Sequence, residues 1–278
     1  MRTSKRSDVA RVERIATQRA LVRTLVGFLI GAPIALNACG NDTVASSGDA
    51  APADAADALP PAGNHALSFD GKGDYVTTGT ARFPAAGAPQ TISLWVRYGA
   101  ATGTQTIVAL RSDFNSGIVV GIRNGTLCVW SVYGSRMLVA APALPAIGVW
   151  HPIAYVFDGT VHTLYVDGVS VATSRAIGTM LTPFSSWLGS IDGLTDFYAG
   201  AMDEIRIWSV ARSAAEIMTE MEGQVSDVTP GLVAYFDCDQ INGTRILDLS
   251  GNGNDATLGG GDPTRTPALI ESTVPPTP

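Results

Sequence analysis

From Leu67 onward the chain alternates apolar and polar residues with a period of two, and glycine-containing turns interrupt it about every ten residues. Alternation at that period builds strands with one face on a core, and it is incompatible with a helical bundle. The runs are 67–70, 75–76, 91–98, 106–110, 117–123, 126–133, 151–157, 161–166, 169–173, 187–191, 201–208 and 232–237. Asn124-Gly125 between two of them is the strongest two-residue hairpin signal, and Asp158-Gly159-Thr160 and Asp167-Gly168 join others.

One segment breaks the alternation. Ser213 with Glu216 three residues later reads as a capping box, Ile217, Met218 and Met221 make a narrow apolar face, and Gly223 offers a C-cap. The expectation is an all-β fold, a two-sheet antiparallel jelly-roll sandwich with one short C-terminal helix. Its core spans 65–222, a trailing strand and loop span 223–258, and the Gly/Pro/Thr-rich residues 259–278 read as a disordered tail.

Charge divides the chain. Residues 1–38 hold seven Lys/Arg against Asp8 and Glu13, and the remainder carries a net charge of −12. An acidic chain of this kind repels the phosphate backbone, which excludes a basic nucleic-acid-binding domain. The apolar fraction of 46% excludes a wholly disordered chain. After Arg23, the 15 residues Thr24–Ala38 are uncharged. That is short of the ~20 a spanning helix needs, so the segment reads as an export signal, 1–38. Residues 39–64 are almost free of large apolar side chains and read as a disordered tether, reaching about 25–30 Å as a flexible coil.

Two resemblances follow. Leu36-Asn37-Ala38-Cys39 resembles the bacterial lipobox, which implies that Cys39 is lipidated and becomes the mature N-terminus; an ordinary cleaved signal with Cys39 incidental is the alternative. Segments 67–76, 91–96, Trp150-His151, 155–159, 164–168 and 200–208, with Ala211-Arg212-Ser213 and Glu216-Ile217, together resemble the LamG-like jelly roll of the concanavalin A-like family. Segments 231–237 and 248–254 resemble the stretch that trails such modules. Pro152 departs from the pattern, where a second histidine is common, and it implies an edge strand or a bulge.

The family includes glycosidases, which need two carboxylates about 5–5.5 Å apart in the retaining mechanism. Asp203 and Glu204 are adjacent, which on a regular strand places them on opposite faces. Asp237 and Asp239 sit at a strand end, where a loop role fits better. There is no Gly-x-Ser-x-Gly elbow and no zinc-type His/Cys spacing; His65, His151 and His162 read as packing or ladder residues. Structural Ca2+ is the plausible ion: the resemblance brings the first strand near the strand of Asp203, so Asp70, Asp74 and Asp203 would converge. The competing reading is three solvated or turn-forming aspartates.

Sugar rings would stack on aromatic side chains at strand ends, for which Trp130, Tyr133 and Trp187 are the candidates, with core packing the alternative. Trp95, Trp150 and Trp208 belong to the resembled core pattern. Cys128 and Cys238 either form a disulfide in an oxidising compartment or remain two buried thiols. The function expected is non-catalytic recognition of a glycan, or of an envelope or extracellular protein. The site would be exported and lipid-anchored at the outer membrane or cell surface. A polysaccharide-cleaving enzyme of the same fold and a purely structural envelope protein are the rivals.

Overall fold

The computed structural model describes residues 64–274 apart from 79–82, 85–86, 114–115, 176–182, 184 and 224–228. The export segment, Cys39 and the tether through residue 63 lie outside the described residues, as do 275–278. Among the described residues, the strands are β1 (His65–Asp70), β2 (Val76–Thr78), β3 (Gln90–Tyr98), β4 (Thr104–Asp113), β5 (Ser116–Arg123), β6 (Thr126–Ser131), β7 (Met137–Ala140), β8 (Trp150–Phe157), β9 (His162–Val166), β10 (Val169–Ser174), β11 (Ser185–Leu188), β12 (Ala199–Trp208), β13 (Leu232–Phe236), β14 (Ile241–Asn242), β15 (Arg245–Ile246), β16 (Ala256–Leu258) and β17 (Ala268–Glu271); all but β7 and β14–β17 arise from the alternating runs.

They form two antiparallel sheets stacked as a sandwich. The first runs β10-β9-β8-β3-β12-β1-β17, with β13 also on β12; the second runs β14-β15-β16-β2-β11-β4-β5-β6-β7. Alternate residues of each strand fill the space between the sheets, among them Leu67, Phe69, Ile92, Leu94, Val120, Ile122, Met202, Ile205 and Ile207. Each such side chain contributes roughly 1.5–3 kcal/mol by leaving water. The long strand β12 serves two partners on one side. Its first half pairs with β1 and its second half with β13, and a break in register between Asp203 and Arg206 separates the halves.

Helix α1 (Ala214–Met221) is capped as its sequence implies, with Ser213 and Glu216 bonding each other's backbone. Ile217 and Met221 lie on Trp95, Ala154, Val156 and Tyr165, covering the outer face of the first sheet. Glu222 is the C-cap, and Gly223 does not take a left-handed conformation.

Several expectations change. Residues 259–274 do not trail free: two 3₁₀ turns lead into β17, which pairs with β1, and Asn64 Nδ2 donates to Val274 O. The short apolar run Ala268–Ile270 is enough once an open strand edge lies beside it. Cys128 and Cys238 are both free and buried. Cys128 sits on the outer face of the second sheet with Ala109, Val119 and Trp130, whereas Cys238 sits in the core between the sheets, so no bond can join them. Pro152 is at neither an edge nor a bulge. Strand β8 lies between β3 and β9, Pro152 faces Trp95 in unbroken register, and its carbonyl accepts from Asp167 N. Its missing donor therefore points at the β9–β10 turn, where the ladder ends anyway.

Candidate functional site

Three connections cross between the sheets side by side at one end: 71–75 from β1 to β2, 189–198 from β11 to β12, and 259–267 from β16 to β17. Strand order forces this, because β12, β1 and β17 are neighbours in one sheet while β11, β2 and β16 are neighbours in the other. Backbone hydrogen bonds stitch the crossings together: Tyr75 N to Arg265 O at 3.2 Å and Gly259 N to Tyr75 O at 2.7 Å. Arg265 completes the stitching. Its Nε donates to Gly73 O at 3.2 Å and its Nη2 donates to Gly193 O. Its guanidinium lies 4.7 Å from the Tyr75 ring centroid and 5.7 Å from that of Phe197.

Tyr75 in turn lies 5.5 Å from Trp187 with the rings inclined at 37°. Trp187 is placed there because it is the outward residue of β11 opposite Thr77. Gly193 lets the middle connection close over both rings. Its φ is +72°, and a Cβ there would stand 2.9 Å from Trp187 and 3.2 Å from Tyr75. The same connection is braced by its own side chains. Ser190 Oγ accepts from Gly193 N and donates to Thr195 O, and Asp192 Oδ1 accepts from Leu194 N and Thr195 N. Arg111 Nη1 donates to Ile191 O at 2.6 Å. Leu194 at the tip is 69% exposed, while Tyr75, Trp187 and Phe197 are half-buried.

Burial raises the carboxyls of Asp74 and Asp196 above the usual range; the neighbouring charge of Asp70 adds to the effect at Asp74, and that of Asp192 at Asp196. Among the described residues no group of three or more His, Cys, Asp or Glu is arranged to hold a metal ion. What this end offers is apolar ring surface, backbone amides and carboxylates held in fixed positions. Such a surface can stack on rings and hydrogen-bond to hydroxyl groups.

The aromatic candidates part company. Trp130 and Trp187 lie in one cross-strand row on the outer face of the second sheet, with Ala109 and Val119 between them. Trp130 is 1% exposed: its ring lies over Gly121, and the Arg123 guanidinium covers it at 4.0 Å. It is a packing residue. Tyr133 is 64% exposed but follows the end of β6 where Val132 meets Gly117, at the opposite end of the sandwich from Tyr75. Only Trp187 joins the three-crossing cluster.

The aspartates do not converge either. Asp70 faces Ala199 while Asp203 follows Met202, the partner of Leu67, which leaves them about 13 Å apart along the ladder. Asp70 and Asp74 fold their own turn: Asp70 Oδ1 accepts from Lys72 N and Gly73 N, and Asp74 Oδ2 from Asp70 N. Asp203 is 0% exposed, its Oδ2 accepting from Ser272 Oγ at 2.6 Å.

Asp203 and Glu204 nevertheless share a face, against expectation. Glu204 sits in the β12 bulge with φ +54°, and the extra residue turns it to the side where Arg206 and Tyr235 donate to its Oε2. Burial, chiefly, pushes Asp203 up to about 8 with help from the charges of Glu204 and Asp239, and raises Glu204 although Arg206 and Tyr235 oppose it. Both are sealed, Glu204 at 4% exposure, so no substrate reaches them. Asp237 caps the loop after β13 through Asp239 N and Gln240 N, and the three histidines are spent on Asp239, Asp167 and Tyr155.

Sequence reasoning missed Tyr75, Phe197 and Arg265 as partners of Trp187. The available signal was aromatic and arginine side chains inside Gly/Asp-rich connections, where nothing local explains them.

The family model described as the concanavalin A-like lectin/glucanases superfamily matches residues 70–218. Human pappalysin-1 is 35% identical over 81 residues, which are 27% of this chain and 5% of that protein's length. Among solved structures, a candidate carbohydrate-binding protein of Bacteroides ovatus superposes with a TM-score of 0.58 at 19% identity, over 77% of this chain and 61% of that one. Domain 4 of a Geobacillus stearothermophilus extracellular arabinanase, in complex with arabinotriose, gives 0.47 at 20% identity, over 55% of this chain and 75% of that one. At these identities the likeness is one of fold.

Proposed function

The chain belongs to the concanavalin A-like lectin/glucanases superfamily, and from that premise we propose that its folded domain is a non-catalytic glycan-recognition module, held at the bacterial envelope by a lipid on Cys39. The observation that carries the recognition is the preorganised cluster at the three crossings. Tyr75, Trp187 and Phe197 are fixed around Arg265 with part of their surface at the end of the sandwich, and rigid aromatic surface binds sugar rings at little entropic cost. The sealed state of Asp203 and Glu204 supports the absence of hydrolysis.

Asn64 immediately precedes β1 and the cluster begins after that strand's end, about 20 Å further on. The test is a glycan array on the purified protein, with and without calcium, repeated for Phe197→Ala and Trp187→Phe variants that melt like the parent. Binding that both variants weaken is expected. A blank array, or release of reducing sugar from a bound polysaccharide, would overturn the reading. For the anchor, fatty-acid labelling should be lost in Cys39→Ala.

A further inference from the structure

Resting on that reading of the three-crossing cluster, we infer that its ligand is an uncharged glycan and that uronate-rich or sulfated polysaccharides are excluded. Polyanions bind through free lysines and arginines that release condensed counterions, and each phosphate-like contact needs one such cation. The three crossings hold four carboxylates, Asp74, Asp192, Asp196 and Asp262, and Asp70 at the end of β1 adds a fifth, against Lys72 and Arg265. Arg265 is not available. Its Nε and Nη2 are committed to the carbonyls of Gly73 and Gly193, and its face lies on Tyr75. Lys72 is exposed in the turn between Asp70 and Asp74, and its ammonium stands in the field of the Asp70 carboxylate, so a single cation there is already opposed by local negative charge. It is also the single lysine after residue 38.

Three nearby arginines are engaged as Arg265 is, Arg97 lying over the Trp150 ring. Arg111 serves Ile191 O, and Arg123 lies on Trp130 and donates to Ser135 O. The carboxylates, for their part, are fixed by backbone amides: Asp192 by Leu194 and Thr195, Asp262 by Thr264. They repel an anion and remain acceptors for hydroxyl groups, while the half-buried rings meet the apolar face of a sugar. A ring with hydroxyls and no acid group satisfies all of these features at once.

The test compares matched pairs on the full chain: dextran with dextran sulfate, laminarin with its sulfated form, and xylan with polygalacturonate, each at low and high salt. The neutral members are expected to bind at least about tenfold more tightly than the charged ones, with little change on adding salt. In the triple variant Asp70→Asn, Asp192→Asn, Asp262→Asn, each Asn keeps the amide-accepting oxygen. The ratio of neutral to sulfated affinity should fall about tenfold from the parent's, some 1.4 kcal/mol. Preference for the charged members with a steep loss in salt would overturn this inference and leave glycan recognition standing. No binding to any member would overturn recognition itself, and the inference with it.

Discussion

Asp203 gives the domain an acid-favouring stability profile that one substitution should erase. Its carboxyl is wholly buried on β12, with Oδ1 accepting from Glu204 N at 2.8 Å and Oδ2 from Ser272 Oγ. Burial, reinforced by Glu204 and Asp239, lifts it from 3.8 to about 8. Between those values the folded chain holds a proton that the unfolded chain has released. Stability therefore falls as pH rises through the window and levels off above about 8. The slope from this group is about 1.4 kcal/mol per pH unit, or about 4 kcal/mol between pH 5 and 8. Asparagine has the same shape, keeps an acceptor for Glu204 N, and is uncharged throughout. Glu204 and Asp237, also raised by burial, are present in both proteins, so the difference between the two reads chiefly Asp203. Thermal melts of the parent and of Asp203→Asn should therefore diverge as pH rises. The variant should gain on the order of 10 °C by pH 8, at 2–4 °C per kcal/mol for a domain this size. Parallel curves across pH 5–9 would refute the assignment of a protonated, buried Asp203.

Ser213→Ala should cost about 1 kcal/mol, read as a lower urea midpoint, because Glu216 N loses its acceptor at the helix start. Arg206→Met leaves the Glu204 carboxylate buried without its cation and should cost about 3–5 kcal/mol; the double variant with Glu204→Gln should recover much of that loss. Gly193→Ala should abolish glycan binding, because the added methyl meets Trp187 and Tyr75 in a left-handed backbone, while the far-ultraviolet spectrum stays that of the parent. Both Cys128 and Cys238 should resist alkylation in the native protein and react fully, without reductant, once it is denatured.

The strands were legible because their cause is local. Half-buried strands need alternating side chains, and hairpin turns such as Asn124-Gly125 need a backbone with positive φ, which these two residues adopt at +51° and +73°. The same logic found the helix, whose cap is a matter of four consecutive residues. It overlooked β14, β15, β16 and β17, which have two to four residues each and exist because a neighbouring edge supplies their hydrogen bonds. Strand β7 was missed for a related reason: Val129 opposite Val139 fixes it, and no turn signal of standard type precedes it. The candidate site was legible at Trp187 alone. Tyr75, Trp187 and Arg265 are separated by more than seventy residues at each step, and only the strand order of the two sheets brings their connections together.

The β12 bulge shows how one irregularity sets the environment of two carboxyls at once. A regular β12 would send Asp203 and Glu204 to opposite faces, with one of them in the apolar core. The extra residue keeps both out of that core, and in the same step lets β12 exchange its partner from β1 to β13. Each carboxylate then meets a different enclosure. Glu204 gains Arg206 and Tyr235, while Asp203 is closed over by the segment that follows β17 through Ser272. Two carboxyls with upward-shifted protonation, side by side, would in an open cleft suit acid–base chemistry. Here the C-terminal segment lies over Asp203, so the pair fastens the last strand to the sheet and stands closed to solvent.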